Sequence, residues 1–219
     1  MVLNAKQTRR PEDGPPAGEP SRSRRLWRWL LVATHVGSLA PLALLLVSWA
    51  TGRLEPNPIR ELTLRTGRYT LALLVLSLAC TPAHWLTGLS AVQRLRKPLG
   101  LYAFLYALLH LLTYVGLDFG FNLSFLWPEI VQQPFVQVGL LAFLLLLPLA
   151  ITSTRWWQRR LGKNWQRLHR LAYLAAALAV LHFYWIVRGD WRRPLAVAIV
   201  VAILLLVRLP PIRRAIRKR

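Results

Sequence analysis

Acid is scarce in this chain. Only 8 of 219 residues are Asp or Glu, against 29 Lys and Arg, and none of the eight falls inside a long uncharged run. Hydrolysis by paired carboxylates is therefore poorly served, as is proton-coupled transport through a carboxylate at mid-membrane. Cysteine is scarcer still. Cys80 stands alone within an apolar run, which excludes an intrachain disulfide and any cysteine-ligated zinc or iron–sulfur centre. The sequence also lacks a P-loop, a G-x-S-x-G elbow and an HExxH pair. Strand-like alternation and internal repeats are absent. Redox chemistry here requires a bound cofactor.

What the chain has in excess is hydrophobic residues, 55% of the total, too many for an ordinary soluble domain. No charged residue occurs in 29–52, 69–93, 98–117, 130–154 or 171–187, and a shorter run covers 194–207. Runs of this length accommodate spans of about 17 to 25 residues. The expectation is an all-α integral membrane protein, a six-transmembrane-helix bundle with spans near 29–51, 69–87, 98–117, 134–154, 169–187 and 194–210. Residues 1–25, rich in proline and arginine, read as a disordered basic cytoplasmic tail, 26–212 as the membrane domain and 213–219 as a second basic tail. The in-span prolines Pro41, Pro82 and Pro148 mark kinks.

The net charge of +21 does not point to nucleic acid. The arginines lie between and beside the apolar runs, as topology signals and contacts for anionic membrane lipid, and even the Arg/Trp-rich segment WWQRRLGKNWQRLHR fits lipid headgroups better. With alternating spans, one face collects 22 of the 29 basic residues. That face is cytoplasmic and holds both termini. Trp127, Trp156, Trp157 and Trp191 suit the interfacial belts.

Five histidines remain, and imidazole in hydrocarbon is costly unless it has a function. His110 lies about 18 Å into the third span, and His182 reaches a similar depth in the fifth. Two imidazoles facing each other at one level are what a six-coordinate b-type haem needs, with Ala107, Ala176 and Ala179 making room for the porphyrin. His169 opens the fifth run thirteen residues before His182, about 20 Å away along a continuous helix and roughly 140° around it. Position alone leaves it either a solvated interfacial histidine or a ligand. Its neighbours Arg167 and Arg170 could neutralise haem propionates or a flavin phosphate. A second, inner haem would need another ligand, but the third span offers Lys97 at the matching position, leaving only His84 and His35.

The stretches NPIRELTLRTGRY, LGLYAFLYALLHLLTY, PLAITSTRWW, LGKNWQRLHRLAYL and LHFYW resemble the ferric reductase-like transmembrane family, and specifically its bacterial haem-binding subunits. The likeness runs from about Leu30 to Val207. It implies a haem b electron-transfer subunit of the bacterial inner (plasma) membrane. Such a subunit takes electrons from the quinol pool, with FMN associated, and passes them to a periplasmic molybdopterin subunit (MsrP) that repairs oxidised methionine in proteins. A cytosolic flavin reductase is an alternative donor. The resemblance also implies His110, His169 and His182 as haem iron ligands. Relatives among NADPH oxidases carry a nucleotide-binding half, and since no G-x-G-x-x-G segment occurs here, the chain is expected not to oxidise NADPH unaided. The competing readings are a self-standing quinol or ferric reductase, and a non-redox transporter or assembly factor in which histidines only join helices.

Overall fold

The computed structural model describes residues 22–187 and 189–217, and the described secondary structure is helical throughout. The tail expected to be disordered falls mostly outside the described residues, as do the last two positions. Helix α1 spans Arg22–Ala50 and α2 spans Pro58–Thr87. The short α3 (Ser90–Arg94) leads into α4 (Arg96–Leu112), which continues as a π-helical turn over Thr113–Asp118. Helix α5 (Leu123–Gln132) precedes α6 (Pro134–Ile151). Then come α7 (Arg155–Leu161), α8 (Lys163–Leu168), α9 (Leu171–Ile186), α10 (Arg192–Leu206) and α11 (Pro210–Arg217).

Four helical stretches are long and apolar enough to cross a membrane: 25–50, 58–87, 90–118 and 134–151. Helices α9 and α10, at 16 and 15 residues, reach only about 24 Å and fall short of a hydrocarbon core of about 30 Å. The expected spans also begin in different places. Helix α2 starts eleven residues before Tyr69, because Asn57 accepts from the Arg60 amide, Pro58 occupies the first turn and Glu61 pairs with Arg65. The Arg/Lys-bearing connections hold the additional helices α3, α7 and α8.

The outside of the bundle is greasy. Leu44, Leu46, Trp49, Leu141, Leu144 and Ile203 are all exposed, an arrangement that water would not tolerate and lipid requires. This is a membrane protein. Inside, Leu78, Ala103, Ala175 and Ala176 are buried, and the small side chains allow close helix approach. Helix α2 packs chiefly on α4, and α6 on α9. Helices α4 and α9 do not pack extensively on each other.

Tyr106, fully buried, donates its hydroxyl to the Ser38 carbonyl over 2.6 Å and thereby ties α4 to α1. Tyr106→Phe removes that tie without opening a large cavity. The expected loss is about 0.5–1.5 kcal/mol, read as a lower thermal midpoint in detergent.

Candidate functional site

His110, near the end of α4, and His182, near the end of α9, face each other with ring centroids 6.0 Å apart and planes at 83°. Two metal–imidazole bonds of about 2 Å on opposite sides of one ion, plus the ring radii, give roughly this separation. Each ring is aimed by its other nitrogen. His110 Nδ1 lies 2.8 Å from the Thr63 carbonyl and His182 Nδ1 lies 2.7 Å from the Phe135 carbonyl. A carbonyl only accepts, so both Nδ1 atoms carry the proton and both Nε2 lone pairs are left for a metal.

The two carbonyls sit on α2 and α6, and each helix also supplies a glycine against the ring. A Cβ on Gly67 would meet His110 Cε1 and Nδ1 at 3.1 Å. On Gly139 it would meet His182 Cε1 at 2.6 Å and Nδ1 at 2.7 Å. The spacings coincide. Carbonyl and histidine are 47 residues apart in both cases, and glycine and histidine 43 in both. The expectation of no internal repeat therefore fails locally, for the same three-part clamp is built twice. Thr63, Gly67, Phe135 and Gly139 were not singled out by the sequence reading, and the paired glycine-to-histidine spacing is the signal that could have found them.

Just beyond His110 the helix widens into its π turn, where Thr113 Oγ1 donates to the His110 carbonyl at 2.9 Å. Such turns often mark functional positions. Among the described residues no three His, Cys, Asp or Glu side chains converge as metal ligands. A porphyrin-bound metal needs only two axial ligands, a number that this pair of imidazoles matches.

The other histidines lie apart. His169 does not continue the helix of His182. It ends α8, and the turn at His169 and Arg170 separates it from α9. The break is held by the Trp165 indole, which donates to the Thr152 carbonyl at 2.9 Å and stacks on the His169 ring with centroids 4.0 Å apart. His169 Nε2 lies 3.2 Å from the Thr152 hydroxyl, whose own proton goes to the Pro148 carbonyl. His169 faces a cavity of about 1040 Å³ at the end of the bundle away from the His110–His182 pair, and no second histidine lines it. His84 does not line it either. Its Nδ1 is buried without a hydrogen-bond partner. His35 is exposed on α1, with Nδ1 2.7 Å from the Tyr102 hydroxyl. Of the two arginines expected to hold an anionic group, Arg170 lines the cavity and Arg167 does not; Arg94, Arg96, Lys97 and Arg208 line it as well.

A family model described as the ferric reductase like transmembrane component matches residues 66–180. The chain is 47% identical over 177 residues to the protein-methionine-sulfoxide reductase heme-binding subunit MsrQ of Xanthomonas axonopodis pv. citri, covering 78% of this chain and 81% of that one. The protein of the same name from Rhodospirillum rubrum is 45% identical over 189 residues, covering 86% and 89%. No solved structure matches significantly.

Proposed function

Since the chain belongs to the ferric reductase-like transmembrane family and, within it, to the MsrQ haem-binding subunits of protein-methionine-sulfoxide reductase, we propose that it carries electrons across the bacterial inner membrane through a haem b held by His110 and His182. The observation that carries this reading is a pair of imidazole rings from two helices with centroids 6.0 Å apart, both Nδ1 atoms already committed to backbone carbonyls and both Nε2 atoms left as acceptors.

The haem supplies one-electron chemistry when bound. The protein's residues do the rest. Thr63 and Phe135 carbonyls fix the tautomer and orientation of both rings, Gly67 and Gly139 leave them room, and the Phe135 ring lies beside His182, all of which tune a metal's potential. In this reading six spans cross the bilayer, with α9 and α10 accommodated by local thinning. Both termini are cytoplasmic, in keeping with the segregation of basic residues. Reducing equivalents enter from quinol, directly or by way of FMN, and leave to the periplasmic molybdopterin subunit, MsrP.

The test is the visible spectrum of the full chain purified in detergent from cells supplied with haem. A Soret band that shifts on reduction as a b-type haem does is the expected result. A colourless chain under those conditions overturns the proposal. Retention of a periplasmic molybdopterin enzyme on the immobilised chain checks the partner.

A further inference from the structure

We infer that His35 and Tyr102, paired on the lipid-facing seam between α1 and α4, form the binding site for the ring of a membrane quinol. This rests on the reading of the chain as an electron carrier and names where its reductant is held, apart from both the His110–His182 pair and the cavity beside His169.

The pair sits where a ligand arrives from the lipid phase. His35 is exposed on α1 and Tyr102 is half-buried on α4. Both belong to helical stretches apolar enough to cross a membrane. They stand seven residues past Arg28 and five past Lys97, which sets them about 8–10 Å beneath the basic rim. A polar atom left without a partner at that depth is costly. One ring nitrogen is answered, since His35 Nδ1 lies 2.7 Å from the Tyr102 hydroxyl, with the rings edge to face and centroids 5.6 Å apart. The other, Nε2, has no hydrogen-bond partner among the described residues.

Joining the two helices does not require this pair. One turn further along, Tyr106 already donates to the Ser38 carbonyl in a buried bond with a backbone acceptor. The His35 rung instead puts two titratable side chains together at the outer side of the seam, among exposed Val32, Val36 and Leu39, where lipid favours an aliphatic residue.

The chemistry of the rung fits a hydroquinone. A phenol hydroxyl both donates and accepts, so the imidazole can keep its proton on either nitrogen. With Nδ1 protonated, Nε2 accepts from a quinol hydroxyl. With Tyr102 donating to Nδ1, Nε2 donates to a quinone carbonyl. One site therefore recognises both oxidation states of the ring, while the aliphatic side chains around His35 offer a surface to the apolar tail. No charged residue occurs in 29–52 or 98–117, so a phosphate headgroup finds no counter-ion on either helix at this level. Tyr102 also precedes His110 by eight residues on α4, about 12 Å along the axis, which places the quinol beside the helix that carries a proposed haem ligand.

The experiment uses the full, haem-loaded chain in phosphatidylcholine nanodiscs, with decylubiquinone as the probe and empty nanodiscs as the baseline. The b-type band serves as the control for folding. Saturable uptake by the wild type is expected, weakened about ten-fold in His35→Leu and in Tyr102→Phe. His35→Gln, which keeps a donor and an acceptor, weakens it less. Tyr106→Phe removes the neighbouring tie between the same helices and leaves uptake unchanged. A photoreactive azidoquinone labels peptides within 22–50 or 96–112. The inference is overturned if the wild type shows no saturable uptake, or if His35→Leu and Tyr102→Phe, with the band intact, bind as the wild type does. Should His35→Leu lose the band, Tyr102→Phe decides in the same way. Equal losses in Tyr106→Phe and Tyr102→Phe also overturn it, since they would trace the effect to the seam and not to the rung, as does labelling confined to other helices. In each of these outcomes a persisting band leaves the electron-carrier reading standing, whereas a colourless wild type overturns that reading and this inference with it.

Discussion

His182→Ala removes the six-coordinate b-type spectrum of the purified chain, and His110→Ala does the same. On the proposed reading each substitution takes away one of two axial donors, and no third His, Cys, Asp or Glu converges there to replace it among the described residues. Haem that stays behind is held from one side and changes spin state, so its reduced-minus-oxidised spectrum shifts. Haem per polypeptide falls by one in the variants that release it. His35→Ala and His84→Ala leave the band alone, since His35 is exposed on α1 beside Tyr102 and His84 is a residue of the far end of α2. An unchanged spectrum in either His110→Ala or His182→Ala removes that residue from the site.

The second large effect comes from adding one methyl group. In Gly139→Ala the new carbon would stand 2.6 Å from His182 Cε1, 2.7 Å from Nδ1 and 3.2 Å from Nε2. No relaxation of the helix backbone by a few tenths of an ångström relieves all three contacts, so the ring must swing. Swinging breaks its hydrogen bond to Phe135 and turns Nε2 away from His110. Changes to groups that orient a metal-bound histidine cost about 10–100-fold in metal affinity, and Gly139→Ala is expected at the severe end, although both histidines remain. Gly67→Ala is milder, its nearest contacts being 3.1 Å. Gly37→Ala on α1 meets nothing within 4 Å and serves as the control. The haem-to-protein absorbance ratio of the three variants ranks them. Equal ratios for Gly139→Ala and Gly37→Ala would show that the ring is not where the clamp places it.

The level at which His110 and His182 meet was legible in the sequence, because a fixed rise per residue converts position into depth once the spans are drawn. The aim of the rings was not. It depends on carbonyls of two other helices, 47 residues upstream in each case, and a carbonyl leaves no mark in a sequence. Helix ends misled in two ways. Arg60, Arg65 and Arg68 look like a loop, yet Asn57, Pro58 and the buried Glu61 paired with Arg65 allow α2 to begin there. The apolar run after Lys163 hides the break at Arg170, which is fixed by Trp165 reaching back to the end of α6. The cavity was invisible for the same reason. Arg96 and Arg208 are 112 residues apart in the chain, and only the packing of α2, α4, α9 and α10 brings them to one wall.

Both imidazoles are steered by main-chain oxygens, and this has a consequence for how the protein tolerates mutation. Exchange of the side chain at Thr63 or Phe135 leaves the carbonyl acceptor in place, so such a change reaches His110 or His182 only through the side chain's own contacts, the Thr63 hydroxyl with Thr113 and the Phe135 ring beside His182. At Gly67 and Gly139 no such latitude exists, because there the ring itself occupies the place a side chain would take.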